Sequence, residues 1–178
     1  PVLMYHQLKD DSGGDWDMSP EEFRAELEYL FDNGYVPIRT IDLARGHIDI
    51  PAGKSPVVLT FDDSTRSQAY LDEDGEIAAD TSIGILIDVA SQYDDVEPIA
   101  SMYVITSSLF GGGTDDEDIV AALHDLGLEI ANHSHTHQIL RGLSADAVQE
   151  ELATNVAEVR SIVADAEVAT LSLPLGIF

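Results

Sequence analysis

The chain contains no cysteine and few basic residues. The absence of Cys from its 178 residues excludes disulfide bonds, thiolate zinc sites and cysteine nucleophiles. Only 8 Lys and Arg residues stand against 34 Asp and Glu residues, so the net charge is −26. Binding to nucleic acid is not expected, because it needs clustered basic residues. The same charge argues against docking on an anionic membrane surface.

Long apolar runs and several well-known motifs are also missing. No run of about 18 apolar residues occurs, so no membrane span is expected. There is no G-x-S-x-G nucleophile elbow, and the three glycines at 111–113 lack the lysine and the spacing of a phosphate-binding loop. The chain begins at Pro1 without Met or an apolar signal segment, which we interpret as a mature or trimmed fragment.

The acidic residues are spread along the chain rather than gathered in one patch. Hydrophobic residues make up 44% of the chain, a share that a disordered acidic tail would not have. General solubility is one interpretation of the charge. The alternative is a halophilic protein, in which salt screens the repulsion while the charge preserves solubility. Stability after dialysis into low salt distinguishes the two.

Apolar patterns predict strands that alternate with helices. Six strands are predicted, at 2–5, 35–38, 56–61, 100–105, 128–131 and 168–173. Helices are predicted after the caps Ser19, Thr40 and Ser144 and over 83–90 and 115–126. The helix that begins after Ser144 carries the apolar stripe Val148, Leu152, Val156, Val159 and Val163. This alternation indicates one α/β domain over residues 1–178, either a doubly wound sheet or a β/α barrel. A barrel is favoured because polar residues follow the strands directly.

Three histidines lie within five residues, directly after one predicted strand. His133, His135 and His137 are half of the six histidines in the chain. Imidazoles four residues apart can bind one cation in a helical turn or in a compact loop. We therefore predict a metal site, which an anionic third ligand would complete while one position stays open for water.

Two adjacent carboxylates, Asp62 and Asp63, follow the clearest apolar strand. Such a pair is costly to hold together unless a cation or a proton shares the site. Consecutive side chains at a strand end point in different directions, so one carboxylate can bind the metal while the other accepts a proton. A solvated acidic turn is the alternative interpretation.

Two further segments follow strands in the same way. His6 comes after the first strand and is a candidate general acid, because imidazole exchanges protons near neutral pH. Residues 173–176 (Leu-Pro-Leu-Gly) follow the last predicted strand, and a backbone N–H there could stabilise a developing oxyanion.

Together these segments resemble the polysaccharide deacetylases, also called carbohydrate esterase family 4 or the NodB-homology group. Residues 59–63 (Leu-Thr-Phe-Asp-Asp) are similar to the first motif of that family, residues 132–137 (Asn-His-Ser-His-Thr-His) to the second, and residues 173–176 to the third. Residues 3–6 (Leu-Met-Tyr-His) resemble a circularly permuted subgroup, in which the strand that carries the catalytic His comes first.

The resemblance implies a fold, an activity and a location. The fold is a distorted (β/α)7-type barrel, which we expect to be incomplete at the C-terminus because the chain stops at Phe178. The activity is removal of N-acetyl groups from N-acetylhexosamine units of a polysaccharide such as peptidoglycan, a chitin-like polymer or poly-N-acetylglucosamine. The implied location is extracellular or in the cell envelope.

The resemblance also assigns roles to single residues. Asp63, His133 and His137 would bind a divalent metal, with zinc as the default and nickel, cobalt or iron as alternatives. His135 stands at a variable position of the motif and is left out of the ligand set. Asp62 would be the general base and His6 would protonate the leaving amine. The backbone N–H of Leu175 would help the metal to stabilise the oxyanion.

Two positions depart from the family pattern. Ser172 stands where an Arg usually pairs with the base carboxylate, so Arg66 or Arg141 would have to supply that charge. Leu175 replaces the usual Tyr, which matters less because the backbone makes the contact. Two alternatives to an active deacetylase therefore stay open. One is a degenerate, carbohydrate-binding member, and the other is a metal-dependent amidase or imidase that acts on small molecules.

Overall fold

The computed structural model describes residues 1–11 and 13–177, so Phe178 lies outside the described part. The strands are Val2–Tyr5 (β1), Gln7–Leu8 (β2), Asp17–Met18 (β3), Tyr35–Pro37 (β4), Ser55–Asp62 (β5), Ser101–Val104 (β6) and Glu129–Asn132 (β7). The helices are Pro20–Asp32 (α1), Thr40–Arg45 (α2), Ser82–Ala90 (α3), Asp116–Asp125 (α4) and Ala145–Ile162 (α5). None of these helices is long and apolar enough to cross a membrane.

The most apolar strand, β5, lies at the centre of a parallel sheet. It pairs with β4 through its first residues, with β1 from Val58 to Phe61, and with β6 through its last residues. β7 then pairs with β6, so the order is β1-β5-β6-β7. This confirms an α/β fold with a parallel sheet. All these strands end at one edge, to which they bring His6, Asp62 and His133.

Helix α1 shows how the sequence sets one element. Ser19, the predicted cap, forms a capping box with Glu22, and Pro20 occupies the first turn. The face that repeats at helical spacing buries Phe23, Leu27, Leu30 and Phe31. Gly34, at φ 77°, reverses the chain after the helix.

Phe23 is the residue of α1 on which the core depends most. Its side chain is fully buried, with its ring centroid 5.0 Å from that of Tyr5 and 6.0 Å from that of Phe61. We expect Phe23→Ala to lower the free energy of unfolding by about 3–5 kcal/mol, because a large buried side chain leaves a cavity. Chemical denaturation measures this, with Tyr29→Ala as control, since Tyr29 lies 65% exposed on the same helix. Equal losses in both variants would contradict the packing described.

Helix α2 departs from the prediction at its first turn. Thr40 was predicted to be the cap but is the first helical residue, while Arg39 takes the cap position without a side-chain cap. The first N–H groups of the helix have partners on other strands: Thr40 N–H donates to Ser101 Oγ and Ile41 N–H to Glu129. No local cap is therefore needed.

The predicted strand at 168–173 is wrong. Only Leu171 forms a parallel bridge, with Asn132 at the very end of β7, so two hydrogen bonds replace a ladder. The stripe predicted for α5 is correct only in part. Val159 and Val163 are buried, Val163 lies just beyond the helix, and the other three stripe residues are half-buried. Asn155, a polar residue, is fully buried among them.

The segment between β2 and α1 contributes a strand that the apolar patterns did not predict. β2 and β3 pair in parallel, Gln7 with Asp17 and Leu8 with Met18. At two residues each, these strands are too short for an alternating pattern to predict. Their pairing brings Trp16 next to His6, where the ring centroids lie 5.1 Å apart.

Candidate metal centre

Three side chains of metal-ligand type converge at the carboxyl edge of the sheet. Asp63, His133 and His137 offer ligand atoms that all lie within 4.8 Å of one another. The Oδ1 atom of Asp63 lies 3.3 Å from Nε2 of both histidines. His133 is buried, whereas the side chains of Asp63 and His137 are 26% and 27% exposed. The structure thus brings the three predicted ligands together and leaves them open to solvent on one side.

The hydrogen bonds of His133 leave its Nε2 free to bind a cation. Its Nδ1 lies 2.9 Å from the carbonyl oxygen of Ser172, which can only accept, so Nδ1 carries the proton in the neutral ring. Nε2 then turns a lone pair towards Asp63 Oδ1, a buried oxygen without a hydrogen-bond donor. Two acceptors that face each other require a positive charge between them. The donor set therefore fits a divalent metal.

The pKa values of the group follow the same logic. Burial alone would lower the pKa of His133, but the hydrogen bond that the protonated ring can donate to Asp63, together with the charge of Asp62, outweighs burial, and the pKa is raised. The hydrogen bond with His133 lowers the pKa of Asp63. Burial and the neighbouring His133 lower the pKa of His137. A proton on His133 competes with any metal for this site, so metal binding must release it.

Residues of the centre adopt unusual backbone conformations. Asp63, Ser134, His137 and Leu175 all have φ between 57° and 78°, the left-handed region that favours glycine. Each such residue costs roughly 1–3 kcal/mol and persists only when its surroundings hold it. Asn132 Oδ1 accepts from Ser134 N–H, and Ser134 Oγ accepts from His137 N–H. This concentration of strain at one edge is typical of a functional site.

Asp62 lies beside the ligands and is 4% exposed. Its Oδ2 accepts a hydrogen bond of 2.6 Å from the hydroxyl of Ser172, whereas its Oδ1 is buried without a partner. The arginines suggested from the sequence do not take this place. Arg66 pairs with Asp115 at 3.3 Å, and Arg141 is exposed and does not line the cavity. A neutral hydroxyl therefore contacts the predicted base.

A cavity of about 580 Å³ opens over the centre. His6 and Leu175, the other two predicted catalytic residues, line it together with the ligands and Asp62. The rest of its wall is formed by Met4, Gln7, Lys9, Trp16, Asp17, Ser172, Leu173 and Gly176. All six predicted site residues are therefore gathered around one cavity, whereas the sequence analysis did not single out Trp16, Lys9 or Asp17.

Comparison with known proteins decides the family. Residues 49–178 match the family model described as polysaccharide deacetylase. The chain belongs to the polysaccharide deacetylase family. β1, which precedes the matched residues, pairs with β5 and brings His6 to the cavity, as the N-terminal motif predicts.

Relatives of this chain agree in sequence and fold. YxkH of Bacillus subtilis (strain 168), by name a polysaccharide deacetylase, is 26% identical over 164 residues, which are 86% of this chain and 48% of YxkH. The polysaccharide deacetylase BC0361 of Bacillus cereus is 25% identical, with a TM-score of 0.74 over all of this chain and 51% of that one. The chain thus spans about half the length of these two relatives.

A third relative agrees in fold alone. The Streptococcus pyogenes deacetylase PplD, solved in complex with acetate, has a TM-score of 0.76. It is 21% identical to this chain, and the alignment covers all of this chain and 74% of that one. The fold predicted from the motifs is thus that of solved deacetylases.

Two buried amides that the sequence analysis did not single out hold the loops around the centre. Gln68 donates from Nε2 to the carbonyl oxygens of His6 and Asp62. Asn155 donates from Nδ2 to the carbonyl oxygens of Val104 and Ser134, at 2.7 and 2.9 Å. Asn155 could have been found, because a polar residue on the apolar stripe of a helix needs buried partners. No periodic pattern marks Gln68.

His135 lies in the same motif but faces other partners. Its Nδ1 lies 3.0 Å from Thr106 Oγ1 and 3.0 Å from a carboxylate oxygen of Glu158. The Nδ1 atom of His135 therefore contacts residues that are not part of the ligand cluster, although His135 is two positions away from each of the two ligand histidines.

Proposed function

We propose that this chain is a metal-dependent hydrolase that removes N-acetyl groups from N-acetylhexosamine units of a polysaccharide. The observation that carries the proposal is the convergence of Asp63, His133 and His137 beside the buried carboxylate of Asp62, in a cavity that solvent can enter. Membership of the deacetylase family supports the same chemistry. The cell envelope or its exterior is the proposed location, because N-acetylated polymers occur there.

Asp63, His133 and His137 would hold the metal. A divalent ion there supplies Lewis-acid activation of water and polarisation of the acetyl carbonyl. Zinc suits two imidazoles and a carboxylate with one open position, while nickel, cobalt and iron accept similar ligands.

The other residues of the cavity would move protons. Asp62, with Oδ2 held by Ser172, takes a proton from the attacking water through Oδ1. His6 gives a proton to the leaving nitrogen, and the backbone N–H of Leu175 donates to the carbonyl oxygen as it gains charge. The C–N bond breaks, the water oxygen joins the acetyl carbon, and acetate and a free amine result.

The rim of the cavity supports a polymer rather than a small molecule. Met4, Trp16 and Leu175 are 51%, 61% and 63% exposed, so apolar side chains stand open beside the polar centre. A closed apolar pocket would have favoured a small-molecule amidase. The hydrogen bond from Ser172 to Asp62 also weakens the case for a degenerate binding member, since the predicted base keeps a partner.

Acetate release is the direct test of the proposal. The metal-stripped chain is incubated with oligomers of chitin, of peptidoglycan glycan strands and of poly-N-acetylglucosamine, with zinc, cobalt, nickel or ferrous iron added in turn. We expect metal-dependent acetate release from at least one oligomer, and none from monomeric amides and imides. Zinc binding without acetate from any oligomer would instead indicate the binding member.

Trp16 offers a test of how the substrate is held. Its exposed ring stands at the cavity wall, 5.1 Å from the ring of His6, where it can pack against the apolar face of a sugar. We expect Trp16→Ala to raise KM for oligomers about tenfold, since a good aromatic contact is worth roughly 1.4 kcal/mol, while Trp16→Phe keeps most affinity. Tyr29→Ala serves as the control for an exposed aromatic. An unchanged KM in Trp16→Ala would exclude this contact.

A further inference from the structure

Ser172 contacts both halves of the centre with different polar groups. Its hydroxyl donates to Asp62 Oδ2 at 2.6 Å, and its carbonyl oxygen accepts from His133 Nδ1 at 2.9 Å. Its backbone N–H donates to the carbonyl oxygen of Asn132, the last residue of β7, at 3.1 Å. Three bonds in three directions therefore fix Ser172 against the strand that carries the histidine motif.

The carboxylate of Asp62 has few other constraints. It is 4% exposed, so water does not replace a missing partner on most of its surface. Among the described residues, the hydroxyl of Ser172 is the one hydrogen-bond donor to this carboxylate, because Oδ1 has none. A single bond to one oxygen therefore decides which way the group is turned about its Cβ–Cγ bond.

We propose that Ser172 is a positioning residue, whose hydroxyl holds Oδ2 of Asp62 and so keeps Oδ1 free for the proton of the attacking water. The effect on rate rests on the deacetylase function proposed above, whereas the orientation of the carboxylate does not. The hydroxyl acts on Asp62 alone, since the contact with His133 is made by the carbonyl group of the main chain.

Two substitutions separate these contacts. Ser172→Ala removes the hydroxyl but keeps the backbone groups that contact His133 and Asn132, while Ser172→Thr keeps a hydroxyl. For Ser172→Ala we expect kcat for acetate release to fall roughly ten- to a hundredfold, as for loss of a hydrogen bond to a charged group. KM and bound zinc stay nearly unchanged, and Ser172→Thr recovers most of kcat.

The matched control is Ser161→Ala. The Ser161 hydroxyl donates to a backbone carbonyl within α5, on an exposed surface, so its removal leaves kcat unchanged. A merely structural role of Ser172 would lower zinc binding along with kcat, and Thr would not restore them. That pattern overturns the proposal.

Crystal structures of the wild type and both variants decide the orientation without any assay. We expect the Asp62 carboxylate to turn away from its wild-type position in Ser172→Ala and to keep it in Ser172→Thr. An unmoved carboxylate in Ser172→Ala overturns the proposal, and so does a moved carboxylate with unchanged kcat. A wild type that releases no acetate refutes the deacetylase function, while the crystal structures still decide whether Ser172 orients Asp62.

Discussion

Replacing His133 with Ala abolishes zinc binding and acetate release together; this is the largest effect expected in the chain. The side chain is buried, and its Nε2 faces Asp63 Oδ1 at 3.3 Å, so the substitution removes a ligand from the buried side of the centre. Loss of a hydrogen bond that only orients a metal ligand costs roughly 10–100-fold in metal affinity. Loss of a ligand itself should exceed that range. Zinc content after dialysis, measured by elemental analysis, gives the result directly.

The control for this variant lies in the same motif. His135→Ala removes an imidazole two residues away whose Nδ1 contacts Thr106 and Glu158 instead, so zinc content should stay at the wild-type level. His137→Ala removes a ligand that is 27% exposed, which guards against a simple folding defect at the buried position. Full zinc content in both ligand variants would contradict the proposed centre.

Asp62→Asn is expected to lower kcat by roughly 10²–10⁴-fold, the range typical of a lost general base. The amide has nearly the same size and can still accept from the hydroxyl of Ser172, but it cannot take a proton from water. Because Asp62 lies outside the ligand cluster, zinc content should not change. Steady-state rates of acetate release, with zinc measured on the same samples, test both parts.

Asp116→Asn is the matched control for that substitution. Asp116 is 9% exposed, close to Asp62 in burial, but it lies on α4 and does not line the cavity. Its exchange for Asn should leave kcat unchanged. Near-normal turnover in Asp62→Asn would remove Asp62 from its role as base and would direct attention to His6.

Local patterns in the sequence predicted most of the secondary structure. The helix over 83–90 appears as Ser82–Ala90, and the strand over 56–61 as Ser55–Asp62. Both carry signals that neighbouring residues alone can express, a cap or an unbroken apolar run. The strand that was wrongly predicted at 168–173 depends instead on a contact with a distant segment. Its apolar alternation is local, but whether it pairs depends on how far β7 extends beyond Asn132.

Most of the site residues were predictable because they follow strands. His6, Asp62 and His133 stand at the ends of β1, β5 and β7, and parallel strands end at a common edge. The partner of the base was not predictable in this way. In the sequence, Ser172 marked only the absence of the usual arginine. The structure shows that the hydroxyl of Ser172 lies 2.6 Å from Asp62 Oδ2. Ser172 and Asp62 are 110 residues apart, so no local pattern in the sequence could reveal their contact.

The sequence by itself determined the α/β class, the family and the residue types of the centre, because these depend on apolar periodicity and on short motifs. Only the tertiary structure decided that the ligand atoms of Asp63, His133 and His137 lie within 4.8 Å of one another and that Trp16 lies beside His6. The structure alone also showed that Gln68 and Asn155 donate to carbonyl groups of the loops in which Asp63 and Ser134 adopt left-handed conformations. Such contacts join distant segments, and burial lets one hydroxyl or amide decide the orientation of a functional group.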